Sequence, residues 1–140
     1  GDVIILLSND VRLHGDICKE TVRLLEVLPN KYLVGGRYLD FNTCWNTFGD
    51  KIFPYLEVLL LAATNDVWFD LGYFDERFVP SDMEDVDIST TAISCGYGLA
   101  ELPTHLTTHI GGQSIGFNPA REAITIANKE KFRKKWMEND

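Results

Sequence analysis

A continuous aliphatic and β-branched run, Val3 to Leu7, sets the first limit on the fold. It lacks the alternation of a half-exposed strand and reads as a strand buried on both faces of an α/β sheet. Such an edge-less position implies neighbours on both sides, from a preceding part of the chain or from another chain. Val58 to Ala63 is a second run of the same kind. Helical patterns alternate with these strands. Asp16 is placed to cap a helix whose apolar face carries Ile17, Val22, Leu24, Leu25 and Leu28, with Pro29-Asn30 ending it. Tyr32 to Val34 reads as a short strand, continued past a Gly35-Gly36 turn or bulge by Tyr38-Leu39. Thr64 caps a short helix that Gly72 closes. A further helix spans Glu84 to Cys95 and stops at Gly96. Leu99 to Leu102 is a strand stopped by Pro103, and His105 to Ile110 is extended until Gly111-Gly112 breaks it. Asn118-Pro119 opens a last helix running to about Trp136. The order predicts a mixed α/β sheet covered by helices, in a single domain over residues 1–140.

Charge narrows the partners. The formal net charge of −8 argues against a nucleic-acid or anionic-membrane surface, which would select basic patches. The local exception is Lys129, Lys131, Arg133, Lys134 and Lys135, which read as a solvated basic face favoured by the helix dipole. Three scattered cysteines without a CxxC pair point to reduced thiols in a cytoplasmic setting, not to a disulfide framework or a zinc site. No apolar run approaches a membrane span, and no signal peptide is expected.

The acidic stretch from Phe74 to Asp87 carries the chemistry. Six of its fourteen residues are carboxylates (Asp75, Glu76, Asp82, Glu84, Asp85 and Asp87), and only Arg77 answers them. Carboxylates this dense need solvent, a cation, or a role that uses a raised pKa. Ser81 and Glu84 fit an S-x-x-E capping box, and acidic residues suit a first helical turn. That explanation leaves Asp82, Asp85 and Asp87 unaccounted for. No glycine stands where an EF-hand loop needs one. Ser8-Asn9-Asp10 follows the first strand, at the sheet end where ligands of open α/β sheets bind. Asp10 suits a hard cation such as Mg²⁺ or Mn²⁺ there, although taken alone a plain Asn-Asp turn explains it better. His105 and His109 lie four apart without a zincin H-E-x-x-H. In the loop from Phe41 to Pro54, Trp45 and Phe48 read first as a cover for the core edge, and secondarily as platforms for pyranose faces.

Taken in order, these pieces resemble the C-terminal half of a GT-A fold glycosyltransferase of the family 2 type. The resemblance spans nearly the whole chain. It rests on the strand ending in Asn9-Asp10, on G-Y-F-D-E-R-F from Gly72 to Phe78, and on E-D-V-D from Glu84 to Asp87. Gly96-Tyr97, T-H-I-G-G-x-S from Thr108 to Ser114 and the closing K-F-R-K-K-W continue it. The resemblance implies a nucleotide-diphospho-sugar donor, a carbohydrate or lipid-linked acceptor, and a divalent Mn²⁺ or Mg²⁺. By the same resemblance Asp10, with Asn9, stands as the end of the DxD-like metal motif, with Ser8 where the family usually has Asp or Asn. Asp85 stands as the catalytic base, Glu84 beside it in the acceptor pocket, and His109 as an added metal ligand. The reaction implied is inverting transfer to an acceptor hydroxyl. The family's N-terminal nucleotide-binding half, of about a hundred residues, is the part this sequence lacks. It is expected as a further part of the gene product or as a second chain. The alternative is a non-catalytic, self-associating remnant or binding module of the same fold. A metal-dependent hydrolase using the same carboxylates is a third reading.

Overall fold

The computed structural model describes residues 2–110 and 118–138. In chain order the elements are β1 (Val3–Leu7), β2 (Val11–Leu13), α1 (Ile17–Val27), β3 (Tyr32–Gly35), β4 (Tyr38–Leu39), β5 (Thr47–Phe48) and β6 (Lys51–Ile52). They continue with β7 (Tyr55–Leu56), β8 (Leu60–Thr64), α2 (Asn65–Leu71), α3 (Glu84–Ser94) and β9 (Gly98–Glu101). A 3₁₀ turn (Thr104–Leu106), β10 (Thr107–His109) and α4 (Pro119–Met137) complete the order. The Gly111-Gly112 break and the motif residues up to Ser114 lie outside the described residues.

A mixed four-stranded sheet, ordered β1-β8-β3-β9, forms the centre. β8 runs antiparallel to both β1 and β3, while β9 runs parallel to β3. The run Leu60 to Ala63 is fully buried because helices cover both of its faces. Side chains alternate between the faces with the strand period of two. Leu61 and Ala63 join Leu33, Trp68 and Ile88 under α2 and α3. Leu60 and Ala62 join Ile17, Val34 and Leu102 on the side of α1. Asp16 caps α1 by accepting from the Lys19 amide, and Asn118 caps α4 by accepting from the Arg121 amide. Gly72 ends α2 in the left-handed conformation at φ 73°. A third cluster, including Leu39, Tyr55, Phe78, Met83, Val86 and Phe132, lies beneath α4.

Four expectations need correction. Among the described residues β1 stands at the sheet edge, pairing with β8 alone, and Leu6 and Leu7 are 37% and 48% exposed instead of buried. Its apolar run encodes a preference for burial, but β3 occupies the other side of β8. Tyr38-Leu39 does not extend β3; it pairs with β7 in a separate ribbon. The chain leaves the sheet at Gly36, where a Cβ would come within 2.5 Å of Leu59 Cδ1. His105 sits in the 3₁₀ turn and not on one strand with His109. The Ser81–Glu84 capping box is not formed. Met83 is the cap residue, and Asp82 and Met83 both adopt left-handed backbone (φ 78° and 73°). That turn carries Ser81 away from the helix start, and the buried Ser81 Oγ has no hydrogen-bond partner among the described residues. Among the described residues no helix is long and apolar enough to cross a membrane.

Candidate functional site

α4 divides the acidic stretch in two. Asp75 takes a paired contact from Arg77 (Nη2 to Oδ2, 2.6 Å) and a second from Lys135 Nζ at 2.9 Å. The Arg77 hydrogen bonds, reinforced by Lys135, hold its carboxyl well below the usual range. Asp82 accepts from Arg121 Nε and from Thr125 Oγ1, each at 2.6 Å. Asp87, buried within α3, receives Lys135 Nζ at 2.8 Å and Trp136 Nε1 at 2.9 Å. Asn128 Nδ2 donates to the carbonyls of Ser81 (2.7 Å) and Asp82 (3.1 Å). These bonds hold the two left-handed residues, whose strain is about 1–3 kcal/mol each. The basic end of α4 is therefore not simply a solvated face. Lys131 also donates to the Arg77 carbonyl, and Lys129 to that of Cys44. The available signal was charge complementarity: a stripe of Arg121, Thr125, Asn128 and Lys135 at helical spacing, opposite an acidic loop.

Glu84 and Asp85 lie between those paired residues and behave oppositely. Asp85 accepts hydrogen bonds from two backbone amides, Val86 at 2.9 Å and Val58 at 3.4 Å. Burial, then the neighbouring Glu84 charge, pushes its carboxyl up to about 8. Burial likewise raises Glu84 above the ordinary carboxylate range, and its buried Oε2 has no hydrogen-bond partner among the described residues. The nearby Asp82 charge raises it further, and Arg121 offsets only part of this.

Asp10 and His109 meet on the other side of the sheet end. β2 and β10 form an antiparallel ribbon that sets His109 opposite Val11, and Ile110 N closes it on the Asp10 carbonyl at 3.0 Å. His109 Nε2 then lies 3.3 Å from Asp10 Oδ2. Ser8 Oγ donates to Asp10 Oδ1 at 2.5 Å, and this bond is the main cause that holds the Asp10 carboxyl below its ordinary value. The Asp10 side chain is 9% exposed and that of His109 36%, so the pair opens to solvent through the imidazole. Asn9 is exposed at the tip of the same turn. Among the described residues no group of three His, Cys, Asp or Glu side chains forms a metal cage. An oxygen and an imidazole nitrogen side by side do fit a hard cation that brings further oxygen ligands with its substrate.

Strand direction ties the two clusters together. β1, β3 and β9 run the same way, so their C-terminal ends lie beside the entry of β8. The Ser8 amide donates to the Leu59 carbonyl at 3.1 Å, and Asp85 receives the amide of the adjacent Val58. Ser8, which holds Asp10, and Asp85 thus attach to the adjacent residues Leu59 and Val58 at one end of the sheet. Glu57, in an ion pair with Arg37 at 3.5 Å, and Tyr55 stand beside them. Burial, with the Asp85 charge next, raises the Tyr55 phenol. The sequence reading did not single out these residues, because nothing in Tyr55 to Val58 marks it as more than the approach to a strand. Comparison with protein-family models, with curated proteins and with solved structures returned no match.

Proposed function

We propose that this chain is the metal-and-acceptor part of a GT-A type, family 2-like glycosyltransferase. It would move a sugar from a nucleotide-diphospho-sugar to an acceptor hydroxyl with inversion. The observation that carries this reading is Asp85: a desolvated carboxylate that accepts from two backbone amides, at the sheet end beside Ser8 and Asp10. A carboxylate with a raised pKa is a stronger base than one in water. Asp85 takes the proton of the acceptor hydroxyl while its oxygen bonds to the anomeric carbon and the bond to the diphosphate breaks. Such general-base help is worth roughly 10²–10⁴-fold. Asp10 and His109 would hold Mn²⁺ or Mg²⁺, which supplies charge neutralisation for the leaving diphosphate. Ser8 fixes the Asp10 carboxylate for that task, and Glu84 lines the acceptor side. The exposed free thiols of Cys18, Cys44 and Cys95 fit a reducing, cytoplasmic location.

The test is Asp85→Asn in the complete gene product, with nucleotide-sugar turnover as the readout. Loss of transfer with unchanged donor binding supports the assignment, and undiminished transfer removes it. A second reading, a non-catalytic module that self-associates, draws on the open edge of β1 with its exposed Leu6 and Leu7. Light scattering on the purified chain decides it, since a strict monomer at high concentration leaves that edge without a partner.

A further inference from the structure

The aromatic loop between β4 and β6 separates into two kinds of residue. Phe48 covers the core, stacked on Phe132 with ring centroids 5.0 Å apart. Trp45 is only partly buried and lines a pocket of about 470 Å³ with Asn118, Pro119, Arg121, Glu122 and Thr125 of α4 and its cap. That volume falls within the range of small-ligand sites, roughly 300–1,000 Å³.

The loop is built to hold Trp45 still. Asn46 is fully buried, and its Oδ1 accepts from the Thr43 amide and hydroxyl, each at 2.9 Å. Its Nδ2 donates to the Phe41 carbonyl at 3.0 Å. Thr43 Oγ1 accepts from the Trp45 amide at 3.2 Å, and Lys129 Nζ ties the Cys44 carbonyl to α4 at 2.5 Å. With its backbone held in this way, only the side-chain torsions of Trp45 remain to be ordered on binding.

The lining selects the ligand's chemistry. Arg121 is already engaged by Asp82, and Glu122 adds an exposed carboxylate, so the pocket does not favour a phosphate or another anion. An aromatic face beside amide, hydroxyl and carboxylate groups matches a neutral, hydroxyl-rich ring, with its C–H face on the indole and its hydroxyls toward the polar groups. Arg121 and Asp82 connect this pocket to Glu84, whose carboxyl feels both charges and whose Oε2 has no hydrogen-bond partner among the described residues.

We infer that the Trp45–α4 pocket is a saccharide-binding subsite, with Trp45 as the stacking platform and Glu122 and Asn118 as hydroxyl ligands. The inference rests on the transferase reading for its choice of a sugar as the occupant, and it places the acceptor's sugar ring on the α4 side of Glu84. The test uses the full chain and methyl glycosides of glucose, galactose and N-acetylglucosamine as probes, read by saturation-transfer NMR and by titration of chemical shifts. At least one glycoside is expected to bind, with the indole of Trp45 among the shifted signals. Trp45→Ala should weaken that binding about tenfold, the scale of one aromatic contact, while Trp45→Phe retains most of it. Glu122→Gln lies on the exposed surface and keeps the test open if Trp45→Ala fails to fold; it should weaken the same glycoside severalfold. Absence of binding by all probes, or binding that Trp45→Ala and Glu122→Gln leave unchanged, overturns the inference. Glycoside binding together with undiminished sugar transfer by Asp85→Asn in the complete gene product keeps the subsite and removes the transferase reading. The reverse pattern removes the subsite alone.

Discussion

Asp75, Asp82 and Asp87 on one hand, and Glu84 and Asp85 on the other, come from one acidic stretch and meet opposite fates. The first three are each bonded to cationic or polar side chains of α4 or to Arg77. Among the described residues Asp85 accepts from backbone amides alone, and its carboxyl is raised where that of Asp75 is lowered. Acidity in the sequence therefore does not assign a role; the element that packs against each carboxylate does. The paired acids fix the loop, and the raised ones are placed by it.

Breaking the paired half should have the largest effect. Arg121→Met leaves Asp82, whose side chain is 8% exposed, without its guanidinium. We expect a loss of about 2–4 kcal/mol in urea unfolding, because the remaining buried charge lacks compensation. Asn128→Ala removes the donor to the Ser81 and Asp82 carbonyls and should cost about 1–3 kcal/mol. If both variants unfold like the parent chain, α4 does not hold the acidic loop.

The raised half should respond in the opposite sense. A group whose folded pKa lies above its unfolded value binds more protons when folded, so its stabilising contribution is complete below the unfolded pKa and is lost as pH rises. For Asp85 that loss runs from about pH 4, the unfolded carboxylate value, to about pH 8. Asp85→Asn should remove this slope and stabilise the fold at pH 8, on the order of 2–4 kcal/mol. Asp75 supplies the contrasting limb: its contribution is present above the unfolded pKa and is lost only in strong acid, below pH 4. Thermal melts across pH for the parent chain, Asp85→Asn and Asp75→Asn check both signs.

Smaller effects sharpen the comparison. His109→Ala removes a solvent-facing partner of Asp10 and should leave stability nearly unchanged while weakening Mn²⁺ binding, which calorimetry reads directly. Arg133→Ala breaks only surface pairs with Glu130 and Glu138 and should leave the unfolding midpoint unchanged.

Local chemistry was legible in the sequence wherever a few neighbouring residues decide the outcome. Asp16 and Asn118-Pro119 mark helix starts, Gly72 marks a helix end, and Val58 to Ala63 marks a central strand, which forms over Leu60–Thr64. Features set by distant packing were not. β1 reads as doubly buried, yet strand order puts it at the edge. Ser81-x-x-Glu84 reads as a capping box, yet α4 holds Asp82 and Met83 in a turn that forbids it. The contact of Asp10 with His109 was singled out through resemblance, whereas the ribbon of β2 and β10 that creates it was not foreseen. Trp45 and Phe48 look alike in sequence, and only the position of Phe132 and the N-terminal part of α4 separates them.

The central claim is that Asp85 is raised while Asp75 of the same stretch is lowered. Carbonyl-carbon NMR titration of the aspartate and glutamate side chains, with Asp85→Asn for assignment, measures it most directly. The account predicts an Asp85 midpoint near 8 and an Asp75 midpoint below the ordinary carboxylate range. An Asp85 midpoint near 4, the value of an ordinary aspartate, would contradict it.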